Sequence, residues 1–190
     1  MAVKRIGTSR LILRRWERSD LEALFQLLKD EEVNTFLPWY PVRSPEEAEA
    51  FRWQRFAEAP YAYALCRKAD DRPVGYIRAD AGEGHDLGYA LAKEFWHQGL
   101  MTEAGAALIP VLKREGLPYL TATHDRNNPR SGGVMRQLGM KYCYSYEEQW
   151  QPKDIPVIFR MYQLNLDGDP DRVFRKYWDL SRNRFVEPGL

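Results

Sequence analysis

Apolar positions along this chain switch repeatedly between two spacings. Leu11, Ile12 and Leu13 form a short apolar run closed by Arg14, which predicts a strand over Leu11–Arg14. Ser19-Asp20 then precedes Leu21, Leu24, Phe25, Leu27 and Leu28, a stripe at helical spacing, so a helix capped by that dipeptide is expected. Ser44-Pro45-Glu46-Glu47 reads as a second helix start in the capping-box style, followed by Ala48, Phe51, Trp53 and Phe56. Tyr61–Cys66 and Val74–Arg78 read as strands joined by the polar turn Lys68–Arg72. Asp86–Leu91 is a further strand, followed by a helix over Thr102–Glu115 and a strand over Tyr119–Thr123. Pro110 lacks a backbone donor and crowds the preceding turn, so it is expected to kink or split its helix. Asn128 caps a helix beginning at Pro129, which Leu138-Gly139 ends, before strands over Lys141–Trp150 and Val157–Asn165. The order predicts an α+β, three-layer fold: a mixed, mostly antiparallel sheet of about seven strands flanked by helices.

Residues 1–166 are therefore expected to form one domain, and residues 167–190 an extension. Asp169–Leu180 predicts a helix with Val173, Phe174, Tyr177 and Trp178 on one face and Phe185 close behind. So aromatic a tail is expected to pack on its own domain, with a homodimer contact or a lid on the substrate cleft as the functional alternatives.

At 190 residues, 44% hydrophobic and 29% charged, the chain suits a single core. Its 28 basic and 27 acidic residues leave a formal charge of +1, which calls for neither nucleic acid nor a membrane surface. Recognition must then be local. No apolar run approaches the roughly 20 residues of a membrane span, and Met1-Ala2-Val3-Lys4-Arg5 is not followed by an apolar signal segment, so the cytoplasm is the expected location. Cys66 and Cys143 are too few for a disulfide framework and are expected as reduced thiols on strands. His85, His97 and His124 are scattered, so no metal site is expected.

Two segments carry candidate chemistry. Trp96-His97-Gln98-Gly99-Leu100-Met101-Thr102-Glu103-Ala104 reads as a short loop feeding a helix N-terminus. Such an end has unpaired N–H groups and a partial positive charge, and so suits a pyrophosphate, which Gly99 would let approach the backbone. Glu103, in the first helical turn, meets the helix dipole favourably and reads as structural. The second segment, Asn127 to Lys141, places Gly132 and Gly133 in tandem inside a helix, at about 1 kcal/mol each relative to alanine. Their presence suggests that a cofactor comes close to that turn.

The run Gly88-Tyr89-Ala90-Leu91-Ala92-Lys93-Glu94-Phe95-Trp96-His97-Gln98-Gly99-Leu100-Met101-Thr102-Glu103-Ala104 resembles the acyl-CoA pyrophosphate loop of the GNAT acetyltransferases, most of all their ribosomal-protein (RimJ/RimL-like) branch. Asn127–Lys141 is similar to that family's Asn-x-x-Ser helix, and Thr8–Arg14 looks like its first strand, so the resemblance covers roughly residues 8 to 165. His97 and Met101 stand where glycine or alanine is usual, which predicts a bulkier loop. The resemblance implies the GNAT acyl-CoA N-acyltransferase fold and acetyl-CoA as acyl donor, held by Leu91, Trp96, His97, Gln98, Gly99, Leu100, Met101, Thr102, Asn128 and Ser131.

It also implies attack of an amine on the thioester through a tetrahedral intermediate, which needs a base, an oxyanion donor and a path for the thiolate's proton. Asp86 is the leading base, with His85 its alternative; the oxyanion donor is a backbone N–H at Leu91 or Ala92. For the acid, Ser131 and the tyrosines Tyr142 and Tyr144 stay open, as does release without an acid. Phe36, Trp39 and Tyr40 on one side, and Tyr146 beside Glu147 and Glu148 on the other, suit a cationic acceptor, a small-molecule or peptide amine. The competing expectation is a non-catalytic acyl-CoA-binding module for sensing or interaction.

Overall fold

The computed structural model describes residues 3–190; Met1 and Ala2, which open the stretch read above for a signal segment, lie outside the described residues. A first antiparallel sheet runs in the order β1 (Arg5–Gly7), β2 (Leu11–Arg14), β3 (Tyr61–Arg67), β4 (Pro73–Ala79) and β5 (Leu87–Leu91). A second is built from β6 (Tyr119–Asp125), β7 (Lys141–Trp150), β8 (Ile155–Asn165) and β9 (Arg184–Phe185), in the order β6-β8-β7-β9. An isolated parallel bridge between Asp86 and Thr121 joins the two sheets, and beyond it β5 and β6 diverge. The short edge strands β1 and β9 are the two that the sequence pattern did not announce.

The helices are α1 (Leu21–Lys29), α2 (Glu31–Asn34), α3 (Pro45–Arg52), α4 (Leu100–Arg114), α5 (Pro129–Gln137) and α6 (Lys176–Leu180). Strand alternation sorts them to two faces. Leu87 and Leu91 of β5, with Leu120 and Ala122 of β6, pack against Leu100, Met101, Ala104, Leu108 and Met135 of α4 and α5. Ala90 points the other way, into a core with Leu24, Leu28 and Ala48 of α1 and α3. On that second face, Tyr144, Tyr146, Val157, Phe159 and Met161 of the second sheet are covered by Phe174, Tyr177 and Trp178 of the C-terminal segment. Asp86 and Thr121 share the parity of Ala90 and Tyr119, so they sit in the floor between the α1–α3 core and the tail.

Three expectations are corrected. Asp20 does not cap α1: it lies in a 3-10 turn, where its carboxylate accepts the Glu17 N–H at 2.8 Å and holds the buried Arg14 guanidinium at 2.6 and 2.9 Å. Helix α4 runs unbroken through Pro110, because both Pro110 and Ala106, whose carbonyl loses its partner, face solvent. The tail is not helical from Asp169; α6 alone is. Gln163 accepts the Phe174 N–H at 2.7 Å and donates to the Arg172 carbonyl at 2.8 Å, while Asn165 donates to the Asp169 carbonyl at 2.6 Å. These side chains capture backbone groups that a helix would have used.

Among the described residues no helix is long and apolar enough to cross a membrane, and no group of three or more His, Cys, Asp or Glu could hold a metal ion.

Candidate active site

The register of β5 decides which backbone donors are free. Ala92 N–H donates to the Val74 carbonyl at 2.8 Å and Asp80 N–H to Asp86 at 3.0 Å. With Tyr76 opposite Ala90 and Arg78 opposite Gly88, the alternation of an antiparallel ladder turns Ala90 and Gly88 toward β4. It turns the N–H groups of Tyr89 and Leu91 toward the opening between the sheets. Of the two expected oxyanion donors, Ala92 is therefore spent and Leu91 is aimed at the cleft. Trp96 fixes this strand end by donating its indole N–H to the Leu91 carbonyl at 2.8 Å.

At the mouth of the cleft, the first bond of α4 runs from Glu103 N–H to the Gly99 carbonyl at 3.0 Å, which leaves Leu100, Met101 and Thr102 with N–H groups unpaired in the helix. Gly99 has φ +72°, and the atom nearest to where its Cβ would stand is the Arg10 guanidinium, at 3.8 Å. His97 takes the left-handed conformation with φ +59° and is exposed. Met101 does not crowd the loop as expected, since its side chain is buried in the α4 core. The Gln98 side chain donates to the Glu94 carbonyl at 2.8 Å, and the Thr102 hydroxyl to Gln137 at 2.7 Å.

A clamp holds this loop. Glu103 accepts from the Thr8 hydroxyl (2.5 Å), the Ser9 hydroxyl (2.9 Å), the Arg10 N–H (2.8 Å) and Arg10 Nε (2.7 Å), while Arg10 Nη1 donates to the Gln98 carbonyl at 2.9 Å. Burial would raise the Glu103 carboxyl, but the bonds from Thr8, Arg10 and Ser9 outweigh it and hold it at about 2. Arg130 lies over the Trp96 ring at 5.2 Å. Free N–H groups, an uncovered glycine and a flanking cation on each side fit a pyrophosphate.

Deeper in, Asn128 accepts the Ser131 N–H at 3.4 Å as the cap of α5. The Tyr89 phenol donates to the Ser131 carbonyl at 3.0 Å and lies 3.0 Å from the Ser131 hydroxyl. Burial raises the phenol, so Tyr89 keeps its proton at neutral pH. Gly132 has another cause than a nearby cofactor: a Cβ there would stand 2.5 Å from His124 Nε2, while Gly133 faces open space.

Asp86 sits at the vertex, half-buried, with Oδ1 3.3 Å from the Thr121 hydroxyl, which donates to the Gly84 carbonyl at 2.8 Å. Burial pushes its carboxyl up to about 6, opposed by Thr121 and Arg78 and aided by Asp80. His85 beside it has φ +46°, and its Nδ1 is buried without a partner. Tyr144 does not join this group: its buried hydroxyl donates to the Phe174 carbonyl at 2.7 Å, and burial pushes it up to about 12. Asp86 on one face of β5, and Tyr89 with Ser131 on the other, thus flank the opening toward which the Leu91 N–H is turned.

The expected acceptor residues divide. Tyr146 is buried and stacked on Tyr177 at 5.2 Å. Trp39 is a prop, its indole donating to Asn34 at 3.0 Å and its ring edge-on to Phe51. Phe36 is half-buried. Tyr40 is exposed, and its hydroxyl reaches the Pro152 carbonyl at 3.2 Å; Lys153 donates to the Asn34 and Thr35 carbonyls at 2.7 and 2.9 Å. The β7–β8 turn thereby docks on the aromatic loop after α2.

The family model for the acetyltransferase (GNAT) domain matches residues 10–141, well over half of the chain. The chain belongs to the GNAT acetyltransferase family. It is 24% identical over 155 residues to the uncharacterized N-acetyltransferase YnaD of Bacillus subtilis, covering 76% of this chain and 91% of that one. Its fold is similar to a GNAT-family acetyltransferase of Bacillus anthracis (TM-score 0.77, 21% identity, 86% of this chain and 99% of that one). It is likewise similar to RimL, a ribosomal L7/L12 alpha-N-protein acetyltransferase solved in complex with coenzyme A (TM-score 0.75, 22% identity, 87% and 100%).

Three contributors to this candidate site escaped the sequence reading. Arg10 and Thr121 touch it from elements distant in sequence, and no local pattern marks them. Tyr89 stands inside the resembling motif, but only the strand parity tells that its ring meets α5.

Proposed function

We propose that this acetyltransferase moves an acetyl group from acetyl-CoA to a primary amine, of a peptide N-terminus or a small molecule, by direct attack through a tetrahedral intermediate. The observation that carries the reading is a half-buried carboxyl, raised to about 6, at the vertex where the two sheets part. Asp86 then takes the proton from the incoming ammonium, being ionised at neutral pH yet basic enough to accept it. The Leu91 N–H stabilises the oxyanion, and Ser131, backed by Tyr89, supplies the proton to the departing thiolate. The N–H groups of Leu100, Met101 and Thr102, with Gly99, Arg10 and Arg130, hold the pyrophosphate; Asn128 and Ser131 line the pantetheine side.

For the acceptor, Tyr146, Tyr177, Glu147 and Glu148, with one cation, Arg182, line a cavity of about 690 Å³ between β7 and the tail, whose aromatic rings and two carboxylates suit an ammonium group. A neighbour of similar fold (TM-score 0.73, 21% identity) from Salmonella typhimurium modifies the N-terminal serine of the ribosomal protein L7/L12, which makes a Ser-initiated peptide the first acceptor to try. A cytoplasmic enzyme would suit the free thiols Cys66 and Cys143.

The test is calorimetric titration with acetyl-CoA, using the native chain and Gly99→Trp, followed by thiol release with a Ser-initiated peptide and with spermidine. Binding abolished by the substitution, with thiol release on adding an amine, is the expected result. Binding without release for any amine would favour the non-catalytic acyl-CoA module, and no binding would overturn both.

A further inference from the structure

The C-terminal segment comes to rest on the turn that carries Asp86. A Cβ built on Gly84 would stand 3.3 Å from the Tyr177 hydroxyl and 3.5 Å from the Phe174 ring, so both tail rings lie directly against that glycine. Lys176 reaches Glu83 in the same turn at 3.4 Å, and Tyr119 donates to the Glu83 carbonyl at 2.7 Å. The Tyr177 ring is sandwiched against Tyr146 (5.2 Å, 14°) and meets Phe174 edge-on at 5.3 Å, while its hydroxyl lies beside Thr121, the residue that touches Asp86. None of this is loosely held. Tyr144 and Gln163 tie Phe174 by its carbonyl and its N–H, and Ser181 donates to the Glu147 carbonyl at 2.8 Å.

We propose that the tail completes the active site, with Tyr177 as a positioning residue that roofs Asp86 and keeps water from its carboxyl. The proposal rests on the reading of Asp86 as the base. The alternative, a tail that only covers apolar β7 and β8 surface, would account for Phe174 and Trp178. It leaves unexplained why a tyrosine hydroxyl is placed against Gly84 and Thr121, over a turn of the other sheet. The charged and titratable groups around Asp86 are Arg78 from β4 and Asp80 just beyond its end, Tyr89 from β5, Tyr146 from β7 and Tyr177 from α6, with His85 next in the chain. Removal of the Tyr177 ring leaves every charge in place and changes the access of water.

The test follows the Asp86 carboxyl by carbon NMR on the full chain labelled at aspartate, with Asp86→Asn to assign the signal. It needs no acceptor, so a failed search for the amine leaves it readable. In the native chain the midpoint is expected near 6. Tyr177→Ala should lower it by at least one pH unit, Tyr177→Phe should keep most of the elevation, and Val173→Ala, at an exposed tail position, should leave it unmoved. Should Tyr177→Ala unfold, Tyr177→Leu takes its place. A midpoint unchanged in a folded Tyr177→Ala or Tyr177→Leu chain would overturn the roof. Once an acceptor is in hand, the acid limb of kcat/KM should move with the NMR midpoint; a limb that stays fixed while the midpoint moves would remove Asp86 from the role of base instead.

Discussion

Replacing Asp86 by asparagine removes one titratable proton and almost no volume. In the folded chain burial holds this carboxyl at about 6, against an ordinary value near 3.9, so the native state binds its proton more tightly than the unfolded chain does. Stability from this group is fully present below about pH 4 and is lost as pH rises through 6. Above that, the ionised carboxylate costs about 3 kcal/mol, from roughly two pH units at about 1.4 kcal/mol each. Asparagine stays neutral at every pH and keeps an oxygen beside the Thr121 hydroxyl. The variant should therefore match the native chain near pH 4 and exceed it by as much as about 3 kcal/mol at pH 8, or roughly 6 to 12 °C in Tm for a chain of this size. Urea unfolding of both chains at pH 4, 6 and 8 measures the difference directly. In thiol-release assays the same substitution should slow turnover about 10²- to 10³-fold while acetyl-CoA affinity holds. A stability difference that does not vary with pH, or a variant weaker at pH 8, would refute the argument that this carboxylate is held out of water.

Glu103→Gln should loosen the loop clamp, weakening acetyl-CoA binding about tenfold by calorimetry and costing about 1–2 kcal/mol at pH 7. Because Glu103 is held at about 2, the stability it gives is present above pH 4.5 and fades toward pH 2, and the gap between variant and native chain should narrow there. Gly132→Ala should cost about 1–3 kcal/mol in urea unfolding, since the new Cβ overlaps His124; lost acetyl-CoA affinity without lost stability would restore the cofactor explanation. Tyr89→Phe should leave acetyl-CoA affinity within about threefold and lower turnover about tenfold, because it removes the partner that orients Ser131; unchanged turnover would take the pair out of the reaction.

What the sequence made legible is what short-range physics writes. Ser44 accepts the Glu47 N–H and Asn128 the Ser131 N–H, as their positions before a proline-led helix required. The loop around Gly99 was readable for the same reason, since a helix start and a glycine are neighbours in the chain. The clamp was not, because Arg10 meets Glu103 across 93 positions, and the Thr121 contact to Asp86 spans 35. The tail misled for a different reason: its aromatic spacing fits a helix, but Gln163 and Asn165 on β8 bind its backbone first. Tyr144 looked available for proton transfer because a strand position says nothing about what later chain will cover it.

The single rung between Asp86 and Thr121 means that, from Leu87 onward, this protein is one strand short of a continuous sheet. Leu91 and Tyr89 offer their backbone groups on one side of the gap, with β6 on the other, and α4 and α5 brace both from behind. An extended, amide-bearing thread such as pantetheine, bound there as proposed, would be more than a passenger. Under the proposed reading it would stand where the missing strand should be, making the molecule a single continuous slab while it is bound.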